Sequence, residues 1–158
     1  MKKYIGVKII EAKPMNRGEY NKYRGWTIPK DEDPEDEGYL VVYPDGYESW
    51  SPKHVFEEAY RQTQGGMTFG LAVEAMTKGL KVSREGWTGR GMFIYMTPGS
   101  KVPRHHLRKE TEIALEGLMG LTVTFGAHID MKAADGTIVI GWLASQTDML
   151  AEDWKLVE

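Results

Sequence analysis

The residues best suited to chemistry lie near the end of the chain, in the stretch 141–154, GWLASQTDMLAEDW. Trp142 and Trp154 bracket a polar cluster of Ser145, Gln146, Thr147 and Asp148. Indole surface beside short hydrogen-bonding groups suits a small-molecule pocket. A second stretch, 84–92 (REGWTGRGM), supplies Arg84, Trp87, Arg90, Met92 and three glycines. It offers a flat apolar face, guanidinium forks for phosphate, and backbone that approaches a ligand without Cβ interference. Together the two stretches read as a nucleotide site. The plainer reading is that the tryptophans fill a core and that Ser145 with Asp148 caps a helix.

Other chemistries find less support. The acidic run 30–38 (KDEDPEDEG) holds six carboxylates around a proline with no histidine near, which reads as a solvated loop and not a metal site. Adjacent His105 and His106 point in different directions on any regular element and read as a polar surface pair. There is no GxSxG elbow, no phosphate-binding glycine loop with its lysine, and no helical zinc pair. With no cysteine, disulfides, thiolate metal sites and cysteine nucleophiles are excluded. The 158 residues carry 20 Lys and Arg against 23 Asp and Glu, a formal charge of −3. Such a chain is ill suited to clamping duplex nucleic acid, which needs a strong basic surplus, but a small anion needs only one or two local cations. No apolar run reaches membrane-spanning length and no signal-type core follows Met1-Lys2-Lys3, so a cytoplasmic location is expected.

The elements that must position these residues follow from periodicity and punctuation. Residues 4–13 read as a strand ended by Pro14, and Asn16 with Glu19 has capping-box spacing for a helix over 17–23. Residues 39–43 and 47–50 form a hairpin around Pro44-Asp45-Gly46, and Ser51 is expected to cap a helix that has Pro52 in its first position. The aromatics Tyr39, Tyr43, Tyr47 and Trp50 on these strands serve a core more readily than a ligand. Gln62 to Gly66 (QTQGG) is a linker. Thr68 caps a helix over 69–78, with Phe69, Ala72, Val73 and Met76 on one face and Gly79 as its stop. Strands are expected over 81–84, 92–96, 121–131, 137–142 and 154–157, with 97–104 a loop, a short helix over 110–119, and a helical turn over 149–152. The fold class is α+β: an antiparallel sheet packed by one principal helix in a domain of residues 67–158, preceded by a small β-rich module with a short helix, residues 1–62.

The segments FGLAVEAMTKGLKVSREGW (69–87), MFIYM (92–96) and ADGTIVIGWLASQTDMLAEDW (134–154) resemble the phage-encoded Thoeris anti-defence two family. The resemblance covers residues 67–158. It implies a non-enzymatic protein, with no cofactor, that captures the cyclic ADP-ribose-type signal (glyco-cyclic ADP-ribose) made by a bacterial Toll/interleukin-receptor-domain defence enzyme. It also implies homotetramers with ligand pockets at subunit interfaces, and in some members a hold on cyclic dinucleotides. On the chemistry of such a ligand, Phe69, Trp87 and Trp142 are expected to stack on the purine. Arg84, preferred for its rigid strand, or Arg90 is expected to meet pyrophosphate, and Ser145 and Asp148 to take ribose hydroxyls or purine edges. The resemblance is silent on residues 1–62, and the segment 97–120 looks longer than a compact form needs.

Overall fold

In the computed structural model the described residues are 1–3, 7–117 and 120–158. They divide into two compact units, Met1–Arg61 and Gln62–Glu158. Among the described residues no helix is long and apolar enough to cross a membrane.

The first unit runs β1 (Glu11–Pro14), α1 (Arg17–Arg24), β2 (Gly38–Val42), β3 (Glu48–Pro52) and α2 (Lys53–Ala59). Its antiparallel sheet has the order β1-β2-β3, with Lys13 opposite Leu40 and Leu40 opposite Trp50. Asn16 and Glu19 form the expected capping box, each side chain bonding the other's backbone N–H, and Gly25 closes α1 in the left-handed region at φ 70°. The central strand is buried on both faces, since neighbouring Leu40 and Val41 point opposite ways and both are inaccessible. Tyr39, Phe56 and Tyr60 stack in series, with centroids 4.1 and 4.9 Å apart, so the strand aromatics here form packing contacts with α2.

Two expectations for this unit are corrected. Pairing begins at Glu11 and not earlier, because Glu11 faces Val42 and the partner strand then enters its turn, leaving residues 7–10 nothing to bond. Residues 4–6 of the expected strand lie outside the described residues. Ser51 does not cap α2: it is paired with Tyr39 in the sheet, and Pro52 holds the N-cap position without a side-chain bond.

The second unit carries α3 (Phe69–Thr77), β4 (Lys81–Arg84), β5 (Phe93–Thr97), β6 (Ser100–Pro103), a 3₁₀ turn (Arg104–His106) and α4 (Lys109–Ala114). It continues through β7 (Thr122–Phe125), β8 (His128–Lys132), β9 (Ile138–Val139), α5 (Gln146–Met149) and β10 (Trp154–Val157). Its antiparallel sheet has the order β10-β4-β5-β8-β9, so the chain's last strand lies at an edge. Thr68 caps α3 through Leu71 N–H as its sequence predicts. One face of the helix buries Ala72, Ala75 and Met76 against Val82, Ile94, Met131 and Trp154 of the sheet. This is the expected α+β arrangement of one principal helix on an antiparallel sheet.

The expected strand over 121–131 is two strands in different sheets. Gly126 and Ala127 interrupt it; β7 pairs with β6, and β8 pairs with β5. Residues 97–104, expected as a loop, supply β6, because alternating Lys101 and Val102 can join the ladder offered by Thr122–Phe125. The return strand shrinks to Ile138–Val139, since Gly141 at φ 76° turns the chain away. Residues 118 and 119 of the expected helix over 110–119 lie outside the described residues.

Gly38 tests the first unit's packing. A Cβ there would lie 2.4 Å from Trp50 ring atoms and 2.5 Å from the Ser51 carbonyl oxygen. Gly38→Ala should therefore cost about 1–3 kcal/mol through overpacking. Segment-resolved hydrogen exchange should show faster opening of β2 and β3 with α3 and β4 unchanged.

Candidate functional site

Four aromatic rings meet at the start of α3. Phe69, its first residue, has its centroid 5.4 Å from Trp154 and 6.5 Å from Trp142. Trp87 lies 6.0 Å from Trp142 and 5.4 Å from Trp154, in edge-to-face geometry with both. Trp154 is fully buried and belongs to the core. Phe69, Trp87 and Trp142 are half-buried, packed against that core with surface left to present. The structure thus brings together the three rings expected to stack, with Trp154 as the wall behind them.

A charged clamp fixes this cluster. From the end of β4, Arg84 donates Nε to Asp153 Oδ1 at 2.8 Å, Nη2 to Asp153 Oδ2 at 3.3 Å and Nη1 to Asp148 Oδ1 at 2.9 Å. Trp87 Nε1 donates to the same Asp148 oxygen at 3.2 Å, and Trp154 Nε1 donates to the Asp148 carbonyl at 3.0 Å. Gly86 N–H donates to Asp153 Oδ2 at 2.9 Å, and a Cβ on Gly86 would lie 2.9 Å from that oxygen, so glycine permits the approach. Only 13% of the Arg84 side chain is exposed. The guanidinium of Arg84, the residue expected to meet phosphate, is thus placed against two carboxylates, and this geometry gives it a positioning task.

Ser145 and Asp148 are also occupied. Ser145 is the N-cap of α5; its hydroxyl accepts from Asp148 N–H, and its backbone N–H and hydroxyl both donate to Asp148 Oδ2. The helical turn accordingly starts at Gln146, three residues earlier than expected, because the Ser145 capping box nucleates it. These two residues follow the plainer reading of a cap, although Asp148 also orients Trp87. Met92 packs its thioether over the backbone of Gly89 and lies against the core, beneath the glycine turn. Arg90 is exposed and has no ion pair among the described residues, which leaves it as the cation of the two stretches available to an anion.

Asp153 is the residue that sequence reasoning missed. Its signal was register: an edge strand beginning at Trp154 opposite Arg84 places residue 153 beside the turn at Gly86. Away from this cluster, His105 and His106 sit on the exposed 3₁₀ turn. No metal-holding group of His, Cys, Asp or Glu occurs among the described residues. In the first unit an open groove beside β1 is lined by Lys13, Pro14, Met15, Glu19, Lys22 and Tyr23, with a single aromatic ring and no convergent polar set.

The clamp has an electrostatic consequence. The Arg84 hydrogen bond holds the Asp153 carboxyl below its ordinary range against the opposing effect of burial. Burial pushes Asp148 up, but bonds from Ser145, Arg84 and Trp87 together outweigh it and its carboxyl also titrates low. Arg84 is raised in turn by Asp153 and Asp148. Carboxyls that titrate lower folded than unfolded stabilise fully above the unfolded value of about 4, and that contribution is lost as pH falls through the folded values. Urea unfolding of the second unit should therefore lose stability steadily below about pH 4. Arg84→Met should flatten that dependence while lowering stability at pH 7 by about 1–3 kcal/mol.

Comparison with known proteins bears on the same segment. Residues 67–157 match the family described as Thoeris anti-defense 2-like domain. A relative from Bacillus phage SP01, named Thoeris anti-defense 2, is 36% identical over 91 residues, which are 58% of this chain and 94% of the relative. The first unit lies outside the family match. Through its second unit, this chain belongs to the Thoeris anti-defense 2-like family.

Proposed function

We propose that this protein binds a cyclic ADP-ribose-type signalling nucleotide, glyco-cyclic ADP-ribose in the first instance, and withholds it from its receptor without altering it. Such a protein would disarm a Thoeris-type defence inside an infected bacterium. The observation that carries the reading is the half-buried group of Phe69, Trp87 and Trp142, with Trp87 held by Asp148 of the Arg84 clamp, in a domain of this family. Stacking on one aromatic ring contributes on the order of 1–3 kcal/mol per base. Trp87 cannot swing freely, because its N–H is held by Asp148, so little rotamer entropy is lost on binding. Arg90, on a turn rich in glycine, is the cation for the pyrophosphate.

Competition with a receptor calls for nanomolar affinity, about −12 kcal/mol, which an enclosed pocket supplies better than an open face. The enclosure comes from a second copy. Ile140, Leu143 and Leu150 flank Trp142 and α5 and are exposed at 72%, 88% and 78%. Apolar side chains so exposed beside a site mark a protein contact, and self-assembly through them, to a tetramer by family resemblance, would close the pocket. The Ser145 hydroxyl and the Asp148 carboxylate are spent in the capping box, and this favours holding a ligand over attacking it.

Calorimetry of the purified protein against glyco-cyclic ADP-ribose, isomeric cyclic ADP-riboses and cyclic dinucleotides tests the proposal. Tight binding to one of them is expected, with the ligand recovered chemically intact after heat denaturation. Trp87→Ala should weaken binding by about 10-fold to 100-fold, in line with the loss of one stacking contact. Arg90→Ala should weaken it with unchanged thermal stability, and Arg84→Met should lower affinity and stability together. Recovery of a new chemical species would convert the reading to catalysis, and absence of heat with every nucleotide would end it.

A further inference from the structure

The sheet of the second unit has a second face that the aromatic cluster does not use. Val82, Ile94, Met131 and Trp154 point to α3, and Met96, Ile129 and Leu156 pack on that same core. Alternation along the strands therefore turns Lys81, Phe93, Tyr95, Asp130, Lys132 and Lys155 to the opposite face. Register fixes their neighbours: Phe93 lies opposite Lys132 and Tyr95 opposite Asp130 across β5 and β8, and Lys155 lies opposite Ser83 across β10 and β4. Neither Phe93 nor Tyr95 belongs to the core packed beneath α3, and both are half-buried on the middle strand.

Lysines outnumber carboxylates on this face, although Asp135 in the turn after β8 lies near enough to Lys132 to feel its charge. Lys81 Nζ stands 5.5 Å from the Phe93 centroid and donates to the main-chain oxygen of Glu158. Lys132 Nζ donates to the Gly91 carbonyl. An ammonium has three protons, so each of these lysines keeps donors to spare, and neither is matched to a side-chain carboxylate among the described residues. The carboxylate on the face, Asp130, is buried and satisfied by Thr97 Oγ1 at 2.5 Å and Gly141 N–H at 3.1 Å, with His128 Nε2 at 3.5 Å. It therefore does not reach outward to cancel the lysines.

We infer that this face binds single-stranded nucleic acid, with Tyr95 as the stacking plate and Lys81, Lys132 and Lys155 meeting successive phosphates. Aromatic rings on a middle strand flanked by cations are the arrangement by which open sheets hold unpaired bases. The overall charge of −3 argues against duplex binding through many phosphates, but a short strand neutralised by three lysines escapes that objection. The binding is electrostatically modest: three phosphate contacts on a single strand give a salt slope of about −2 in log K against log salt.

The test is fluorescence anisotropy of a labelled 12-nucleotide oligothymidine titrated with the full chain at low salt, together with sedimentation of each variant. Saturable binding is expected at on the order of 10 μM. It should weaken about 10-fold in Tyr95→Ala, as for one lost stack, and comparably in the surface substitution Lys155→Glu, which leaves the rings in place. Trp87→Ala, on the other face, should bind the oligonucleotide as the parent does, so failure here is separable from failure of the signalling-nucleotide site. Absence of binding, or affinity indifferent to both Tyr95→Ala and Lys155→Glu, overturns the inference. So does a change of oligomeric state in Tyr95→Ala with oligonucleotide affinity retained, which would make the face a contact between copies.

Discussion

The pairing of Arg84 with Asp148 and Asp153 is the constraint from which the rest of the second unit's site follows. Arg84 ends β4, Asp148 lies in α5 and Asp153 immediately precedes β10, so one guanidinium joins β4 to two neighbouring elements more than sixty positions further along the chain. A two-carboxylate match suits arginine, whose planar fork donates in fixed directions, in a way that lysine's point charge does not. Without it, α5 would be a four-residue helix held by its cap alone, since so short a helix has little cooperative stability of its own. With it, the Asp148 side chain faces Trp87 and the Asp148 carbonyl faces the Trp154 indole, which ties the edge strand to the aromatic cluster. Polar pairing and aromatic packing here support each other: half-burial strengthens the ion pair, and the ion pair fixes the angle at which the indoles meet.

How much of this could be read in the sequence depended on whether the deciding contact was local. The capping box at Asn16 and Glu19, the Thr68 cap and the Gly79 stop of α3, and the hairpin at Pro44-Asp45-Gly46 are set by residues within a few positions of one another, and they stand as their spacing predicts. The gathering of Phe69, Trp87 and Trp142 was legible too, because two indoles and a helix-initial phenylalanine sit where the expected sheet brings them side by side. The break at Gly126 and the ribbon of β6 with β7 were not, since Leu121 to Met131 carries one unbroken β-type pattern and only the choice of partner divides it. Partner choice is a long-range property that strand propensity does not carry.

Arg84 shows the same limit in its chemistry. An arginine on a strand beside a tryptophan and glycines has the composition of a phosphate contact, and nothing within ten residues says otherwise. The carboxylates that claim it come from more than sixty positions away, and Asp153 acquires its meaning only when Trp154 is placed opposite Arg84. Ser145 illustrates the converse. Its role as a cap was readable from the spacing to Asp148, and a hydroxyl that both accepts from the backbone and donates to the carboxylate of its own capping box has little left for a ribose.

These constraints leave a division of labour across one sheet. The α3 face commits Arg84 to internal carboxylates and presents rings, so binding of the proposed nucleotide there would rest on stacking and on the exposed Arg90 of the glycine turn. The opposite face does the reverse: its carboxylate is buried and satisfied, while its lysines keep donors free. A small anionic nucleotide gains most from the first arrangement, where a ring already held in place limits the entropy lost on binding. A flexible polyanion gains most from the second, where charge acts over several ångströms and no closed pocket is needed. Since the rows of side chains alternate along the same five strands, a substitution on either face leaves the other's register intact. The two proposed surfaces are therefore open to separation by single substitutions even though they share one backbone.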